Sequence, residues 1–213
     1  MENFYSYLNV LSWGKFNELN VPINFDKLRY CYEKYKNYAI QYNSSKPLIR
    51  RFGISLISCT EKIDDPTAFG SLLEYYDKTG IKLQETDFSK KTEAWHDSGL
   101  EESFNEISDH LYRSHFLILK PGGYFPYHRD YNGFPMLRII ITIKNCKKEN
   151  FIFGLDDTLL SLQDEKIYLV NTNLSHFACN ISPKDEKEVV FIVMNVLIDK
   201  KTEKFLFRNL KIR

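Results

Sequence analysis

His115-Phe116-Leu117-Ile118-Leu119-Lys120-Pro121-Gly122-Gly123-Tyr124-Phe125-Pro126-Tyr127-His128 is where the hydrophobic pattern of this chain changes. Upstream, apolar residues recur mostly at helical spacing. From His115 onward they come in short runs with the two-residue period of strands. Pro121-Gly122-Gly123 reads as a turn, because proline pre-sets one backbone angle and glycine tolerates the left-handed one. It joins a strand over His115–Leu119 to a second over Tyr124–His128.

Downstream, further strands are predicted over Met136–Ile143, Asn150–Phe153, Lys166–Val170, His176–Asn180 and Val189–Val196, with a last one near Phe205–Asn209. Ile139-Ile140-Ile141 and Val189–Met194 are apolar on both faces, as in a sheet covered on both sides. Many short strands joined by turns argue for a sandwich or barrel, here a jelly roll. Upstream, Asn24 caps a helix to about Tyr42 with Leu28, Cys31, Tyr35, Tyr38 and Tyr42 on its apolar stripe. Arg51–Ser58 alternates like a strand. Asp65-Pro66 opens a second helix carrying Phe69, Leu72, Leu73 and Tyr76, with Gly80 as its stop. Ser98 or Asp97 caps a third bearing Leu100, Phe104, Ile107 and Leu111. The expectation is one domain over 1–213: a helix-rich N-terminal region over 1–113, a jelly-roll core over 114–198 and a C-terminal strand or tail over 199–213. The helices at 25–42 and 98–112 should pack outside one sheet.

Composition narrows the function classes. The 213 residues are 43% hydrophobic and 27% charged, the balance of a folded chain rather than a disordered one. No run approaches the roughly 18 apolar residues of a membrane span, and Met1-Glu2-Asn3-Phe4 does not start a signal peptide. A net charge of +1, with Lys/Arg pairs scattered at 50–51, 90–91, 147–148 and 200–201, gives no strong nucleic-acid signal. Cys31, Cys59, Cys146 and Cys179 lack CxxC spacing and read as free thiols of a cytoplasmic protein. Oligomeric state is not legible.

The chemistry lies in Tyr127-His128-Arg129-Asp130 and Ser175-His176-Phe177. Two imidazoles and a carboxylate can hold Fe(II) on one face and leave the other open to substrate and O2. His128 and Asp130 are two apart, so on an extended strand they share a face, and His176 must arrive from a distant strand. Arg129 then points away from the metal. The plainer alternative stays open: an HxD triplet arises by chance, and His176 can be a hydrogen-bonded core residue.

The chain resembles the 2-oxoglutarate/Fe(II) dioxygenases, within them the aspartyl/asparaginyl β-hydroxylase-like group. The resemblance rests on Leu117-Ile118-Leu119-Lys120-Pro121-Gly122, Pro126-Tyr127-His128, Leu137-Arg138-Ile139-Ile140, and Tyr168-Leu169-Val170-Asn171-Thr172 leading to His176 and Asn180. It covers roughly residues 110–198. It implies a double-stranded β-helix (a cupin-like jelly roll, mostly β with N-terminal helices on one sheet). It also implies His128, Asp130 and His176 as catalytic iron ligands, and Fe(II), 2-oxoglutarate and O2 as cofactors. The reaction implied is hydroxylation of a small amino-acid-like molecule or a protein Asp/Asn side chain. The chain departs from the group in two places. Asp130 supplies a carboxylate ligand that the animal β-hydroxylases lack. Glu188 stands where members place a basic residue for the distal carboxylate of 2-oxoglutarate, with Lys187 beside it.

Arg138, in an otherwise apolar strand, is the expected anchor for that carboxylate, since a guanidinium there calls for an anion. An internal salt bridge is its alternative. Lys187 is a second candidate, and Arg51 and Arg113 are backups. Asn171 and Asn180 bracket His176 and could bond a ligand or the histidine's other nitrogen. Trp95 and His96 follow the polar segment 82–94, a candidate lid over the pocket, and Trp95 could equally cover the helix–sheet junction. A non-catalytic cupin-like binding protein, or a metal enzyme that ignores 2-oxoglutarate, are the rival readings.

Overall fold

Among the described residues, eight strands form one antiparallel sheet and four form a second that faces it. The computed structural model describes residues 2–42, 46–68, 70–130, 135–183 and 187–211. In the large sheet the order is β1 (Phe16–Leu19), β10 (Ile167–Val170), β7 (Met136–Lys144), β12 (Val189–Leu197), β5 (Leu111–Leu119), β3 (Arg51–Ser58) and β2 (Ile40–Gln41). β4 (Lys90–Lys91) pairs with β3. The small sheet runs β6 (Tyr124–His128), β11 (His176–Asn180), β8 (Phe151–Leu155) and β9 (Thr158–Leu160). This is the jelly roll, mostly β with helices against one sheet.

Strand alternation explains the doubly apolar runs. Along β12, Val189, Phe191 and Val193 turn inward to meet Leu117, Ile140 and Phe153 between the sheets. Val190, Ile192, Met194 and Val196 turn outward into a second core, shared with Leu28, Trp95, Leu100 and Phe104 from the helices. Both faces are therefore dry from Val189 to Met194, and the first polar residue, Asn195, comes where the strand reaches Glu85. No helix among the described residues is long and apolar enough to cross a membrane.

The helices are α1 (Glu2–Ser12), α2 (Phe25–Tyr35), α3 (Leu72–Thr79), α4 (Glu93–Ser98), α5 (Leu100–Phe104) and α6 (Lys200–Arg208). Asn24 caps α2 by accepting from the Lys27 N–H at 3.0 Å. The helix stops at Tyr35, short of Tyr42, because Ile40 and Gln41 are drawn out to pair with Gly53 and Phe52. The helix expected from Asp65 begins only after Ser71. The carbonyls of Thr67 and Ala68 accept from Arg113, at 3.0 and 3.1 Å, and Gly70 O bonds the same guanidinium. Acceptors a longer helix would need are thus occupied, and a 3-10 turn over Pro66–Ala68 results. Phe69 lies outside the described residues. Asp97 and Ser98, the expected caps of the third helix, instead end α4, which Gly99 closes at φ +77°. The expected helix is α-helical only over Leu100–Phe104, tightens to 3-10 over Asn105–His110 and gives up Leu111 to β5.

Two expectations need correction. The stretch near Phe205–Asn209 is helical, not a strand. Asp199 accepts from Thr202 N at 2.9 Å while Thr202 Oγ1 accepts from Asp199 N at 2.8 Å, a reciprocal cap that starts α6, and Phe205 and Leu206 are its buried face. Nor is Arg51–Ser58 the one strand of the helix-rich N-terminal region, which also supplies β1, β2, β4 and the start of β5 to the large sheet.

Candidate metal centre

The turn after β5 sets the geometry of β6. Gly122 takes φ +72°, and a Cβ on Gly123 would come within 2.5 Å of Arg50 O and 2.7 Å of Lys120 O. Asn180 clamps this corner: its side-chain amide donates to Leu119 O and Lys187 O, both at 2.8 Å, and its Oδ1 accepts from Ser182 N. β6 then runs antiparallel to β11 with His128 opposite His176. The register slips between His176 and Ala178, a bulge at the rim of the small sheet.

The two imidazole rings lie 4.1 Å apart, centre to centre. β6 ends at His128, so Asp130 is not placed by strand alternation as the sequence suggested. Its N–H donates to Thr172 O at 2.9 Å, which folds the chain back over the histidines. Asp130 Oδ1 is then 3.5 Å from His128 Nε2, and Oδ2 is 3.5 Å from His176 Nε2. The three donor atoms lie within 4.8 Å of one another. Neighbouring ligands around an ion at 2.0–2.2 Å stand roughly 3 Å apart, so small side-chain movements would complete a shell.

The donor chemistry fits a metal. His128 Nδ1 bonds Pro126 O at 2.7 Å and His176 Nδ1 bonds Leu174 O at 3.0 Å. Each ring therefore keeps its proton on Nδ1 and turns the lone pair of Nε2 toward the shared point. Among the described residues, His128 Nε2 and Asp130 Oδ2 are buried without a hydrogen-bond partner. Burial pushes the His176 pKa down to about 4. Burial raises that of Asp130, but the Arg138 guanidinium and the two imidazoles outweigh it and hold the carboxyl well below its usual range. At neutral pH the set is a neutral His176 and an ionised carboxylate, as a dication requires.

The cluster opens on a cleft of about 810 Å³. Its floor is the inner face of the large sheet and its far wall is the segment around α3, through Gly70–Leu73 and Lys82–Glu85. Phe125 packs 4.2 Å from the His128 ring and Phe153 stacks on His176 at 6.3 Å. Trp95 is fully buried in the helix–sheet core and takes no part in this wall.

The other site candidates divide. Arg138 does reach the cluster, but its Nη2 is 2.8 Å from Asp130 Oδ2, an ion pair without hydrogen-bond alignment. The internal salt bridge is what the fold builds. Lys187 lines a separate 330 Å³ surface cleft with Arg50, Lys120, Lys144 and Glu188. Glu188 is itself held by Lys120 at 2.7 Å and the Tyr32 hydroxyl at 2.6 Å. Asn171 is occupied by Asn173, whose N–H and side-chain amide it accepts at 3.2 and 3.0 Å. Asn180 is the corner clamp described above. Lys187, Asn171 and Asn180 therefore stand away from the cluster. Arg129 donates to Ser175 Oγ at 2.8 Å beside it.

Sequence reasoning gave Arg51 and Arg113 only secondary places and passed over His115, Glu85 and Asn195, all of which line the cleft. Arg113 Nη1 bonds Glu85 Oε1 at 3.1 Å and Asn195 Nδ2 bonds Glu85 Oε2 at 2.7 Å. Polar residues on otherwise apolar strands were the available signal for Arg51, Arg113, His115 and Asn195, whereas Glu85 lies in a 3-10 turn and carried none.

No family model matches the chain, and no curated protein matches it. Several solved structures share some of the fold. A predicted oxalate decarboxylase from Thermotoga maritima is 12% identical over 45% of this chain and 75% of that one, with a TM-score of 0.35. A cupin 2 domain-containing protein from Halorhodospira halophila is 11% identical over 49% and 73%, at 0.33. KdgF from Halomonas sp. is 12% identical over 44% and 74%, at 0.32. These are likenesses of fold over less than half of this chain, and they say nothing of its chemistry.

Proposed function

We propose that this chain is an Fe(II)- and 2-oxoglutarate-dependent oxygenase that hydroxylates a small amino-acid-like molecule or a protein Asp/Asn side chain. The observation that carries the reading is the donor set. Two histidines with Nε2 turned inward and one ionised carboxylate converge on a point, two of their buried atoms lack hydrogen-bond partners among the described residues, and the remaining side faces a cleft. Such a set with open positions suits non-haem Fe(II).

His128, Asp130 and His176 would hold the iron. When bound, Fe(II) with 2-oxoglutarate and O2 supplies the oxidising power for inserting oxygen into a C–H bond, chemistry that belongs to the cofactors. The chain's own role is positioning and shielding. Pro126 O and Leu174 O fix the tautomer of each imidazole. Arg138 balances the charge of Asp130 and steadies its rotamer. Phe125, Phe153 and the α3 wall keep bulk water from the reacting face.

The test is anaerobic titration of Fe(II)-loaded protein with 2-oxoglutarate, followed by succinate release in air. A visible charge-transfer band and slow release of succinate without added substrate are the expected results. Iron binding with no response to 2-oxoglutarate would support the non-catalytic, cupin-like binding protein instead.

A further inference from the structure

An antiparallel sheet packed on one side normally turns polar side chains to water on the other. The four-stranded sheet does not. Phe151, Phe153, Leu155 and Ala178 point inward, into the core between the sheets. Alternation turns Ile152, Gly154, Phe177 and Cys179 outward, and the register sets Tyr124 beside Cys179 and Leu159 beside Gly154. The Phe177 ring lies over Gly154, where it leaves no room for a Cβ, and the Tyr127 ring stands 6.3 Å from it. No Lys, Arg, Asp or Glu occurs within any of the four strands. Yet this face is open: Tyr127 is 63%, Leu159 67% and Tyr124 39% exposed.

Charge gathers instead at the two ends of β8. Lys147 and Lys148 precede it with Glu149, so that end has one positive charge in excess. Asp156 and Asp157 follow it and share Lys15, at 2.6 and 3.1 Å, so that end has one negative charge in excess. An apolar face bounded by opposite charges is complementary to itself. Neither copy brings a charge to be desolvated at the centre. A two-fold axis running across the strands lays the basic end of each copy over the acidic end of the other, twice by symmetry. An axis along the strands would bring like charges together.

We propose that the outer face of the four-stranded sheet docks a second copy of this chain, sheet against sheet, with the strands of the two copies antiparallel. The inference is independent of the oxygenase reading, since the histidines of the metal cluster point to the opposite face of the same sheet. Four strands about 4.8 Å apart and five residues long give a patch of roughly 300 Å² per copy. A permanent interface takes about 800 Å² per partner, so this dimer is weak and exchanges with monomer.

The experiment is sedimentation velocity of the full chain from low-micromolar to near-millimolar concentration, where wild type should show a monomer–dimer equilibrium. Leu159→Lys and Tyr127→Lys place a charge at exposed positions, and thermal melts check that the monomer fold is kept. Each should weaken dimerisation about tenfold or more, because the added charge must be buried on association. Lys148→Glu and Asp157→Lys should each weaken it by a smaller factor. The double variant should regain wild-type association, since every cross-copy pair is then reversed rather than broken. Wild type that stays monomeric throughout, or a dimer indifferent to both Leu159→Lys and Tyr127→Lys, overturns the proposal. A dimer that the double charge reversal fails to restore overturns the antiparallel arrangement.

Discussion

Arg138 Nη2 lies 2.8 Å from Asp130 Oδ2, and the same oxygen lies 3.5 Å from His176 Nε2. One carboxylate thus answers both to a permanent cation and to the point where a metal would sit. Replacing Arg138 with Ala leaves a buried carboxylate without its cation, which costs about 3 kcal/mol. A bound dication would supply the missing charge. Urea unfolding of wild type and Arg138→Ala should therefore show a wide stability gap without metal and a narrow one in excess Mn(II). An equal gap in both conditions would remove Arg138 from the electrostatics of the centre.

His176 is the most buried member of the cluster. Loss of a directly ligating imidazole should cost more than the roughly 10–100-fold that outer partners of metal ligands are worth. His176→Ala and Asp130→Asn should each bind Mn(II) more than a hundredfold less tightly and lose the rise in Tm that metal gives wild type. Succinate release should disappear with them. Retention of the Tm rise in both variants would mean that metal binds elsewhere.

Arg113 ties both feet of the α3 wall to the sheet, through the carbonyls of Thr67, Ala68 and Gly70 at one end and Glu85 at the other. Arg113→Met should cost about 3–5 kcal/mol, because it orphans a buried carboxylate and several carbonyls. Hydrogen exchange should quicken over 70–87 well beyond what the global loss explains, while β12 follows global stability. Uniform acceleration along the chain would argue against a tethered wall.

Glu188, in the separate cleft with Lys120 and Lys187, provides a pH test. Burial raises its pKa, but Lys120 and the Tyr32 hydroxyl overcome this, and the folded value falls below the ordinary 4.5. A carboxyl lowered on folding stabilises above its unfolded pKa, and the gain is lost as pH falls through the folded value. Glu188→Gln should therefore cost about 1 kcal/mol at pH 7 and less and less below about pH 4. Chemical denaturation across that range reads it directly. A gap that stays constant down to about pH 3 would show that the ion pairs contribute nothing.

Local rules reached far into this structure because strand alternation and turns are short-range effects. Tyr124–His128 and His176–Asn180 are strands with the bounds their patterns indicate, and Arg51–Ser58 likewise. Helix starts at Asn24 and stops at Gly80 follow from side-chain caps and a left-handed glycine. Where the pattern misled, a distant partner had won. Arg113 took the carbonyls after Asp65, and Gly53 and Phe52 drew out the end of the first predicted helix. Phe205-Leu206-Phe207 is too short a run for period alone to separate strand from helix, and the Asp199 cap decided it.

Residue identity and two-residue alternation are local, so the chain's linear order was enough to name the donors this protein can offer a metal and the paired strands that carry the two histidines. Long-range packing settled the rest: Asp130 reaches the histidines through Thr172 O rather than by alternation, and Arg138 is held by Asp130. The same packing buried Arg51 between the Tyr42 and Phe125 rings. Charge pairing across a fold depends on which side chains are brought within a few ångströms of one another. No spacing along a single chain encodes that distance.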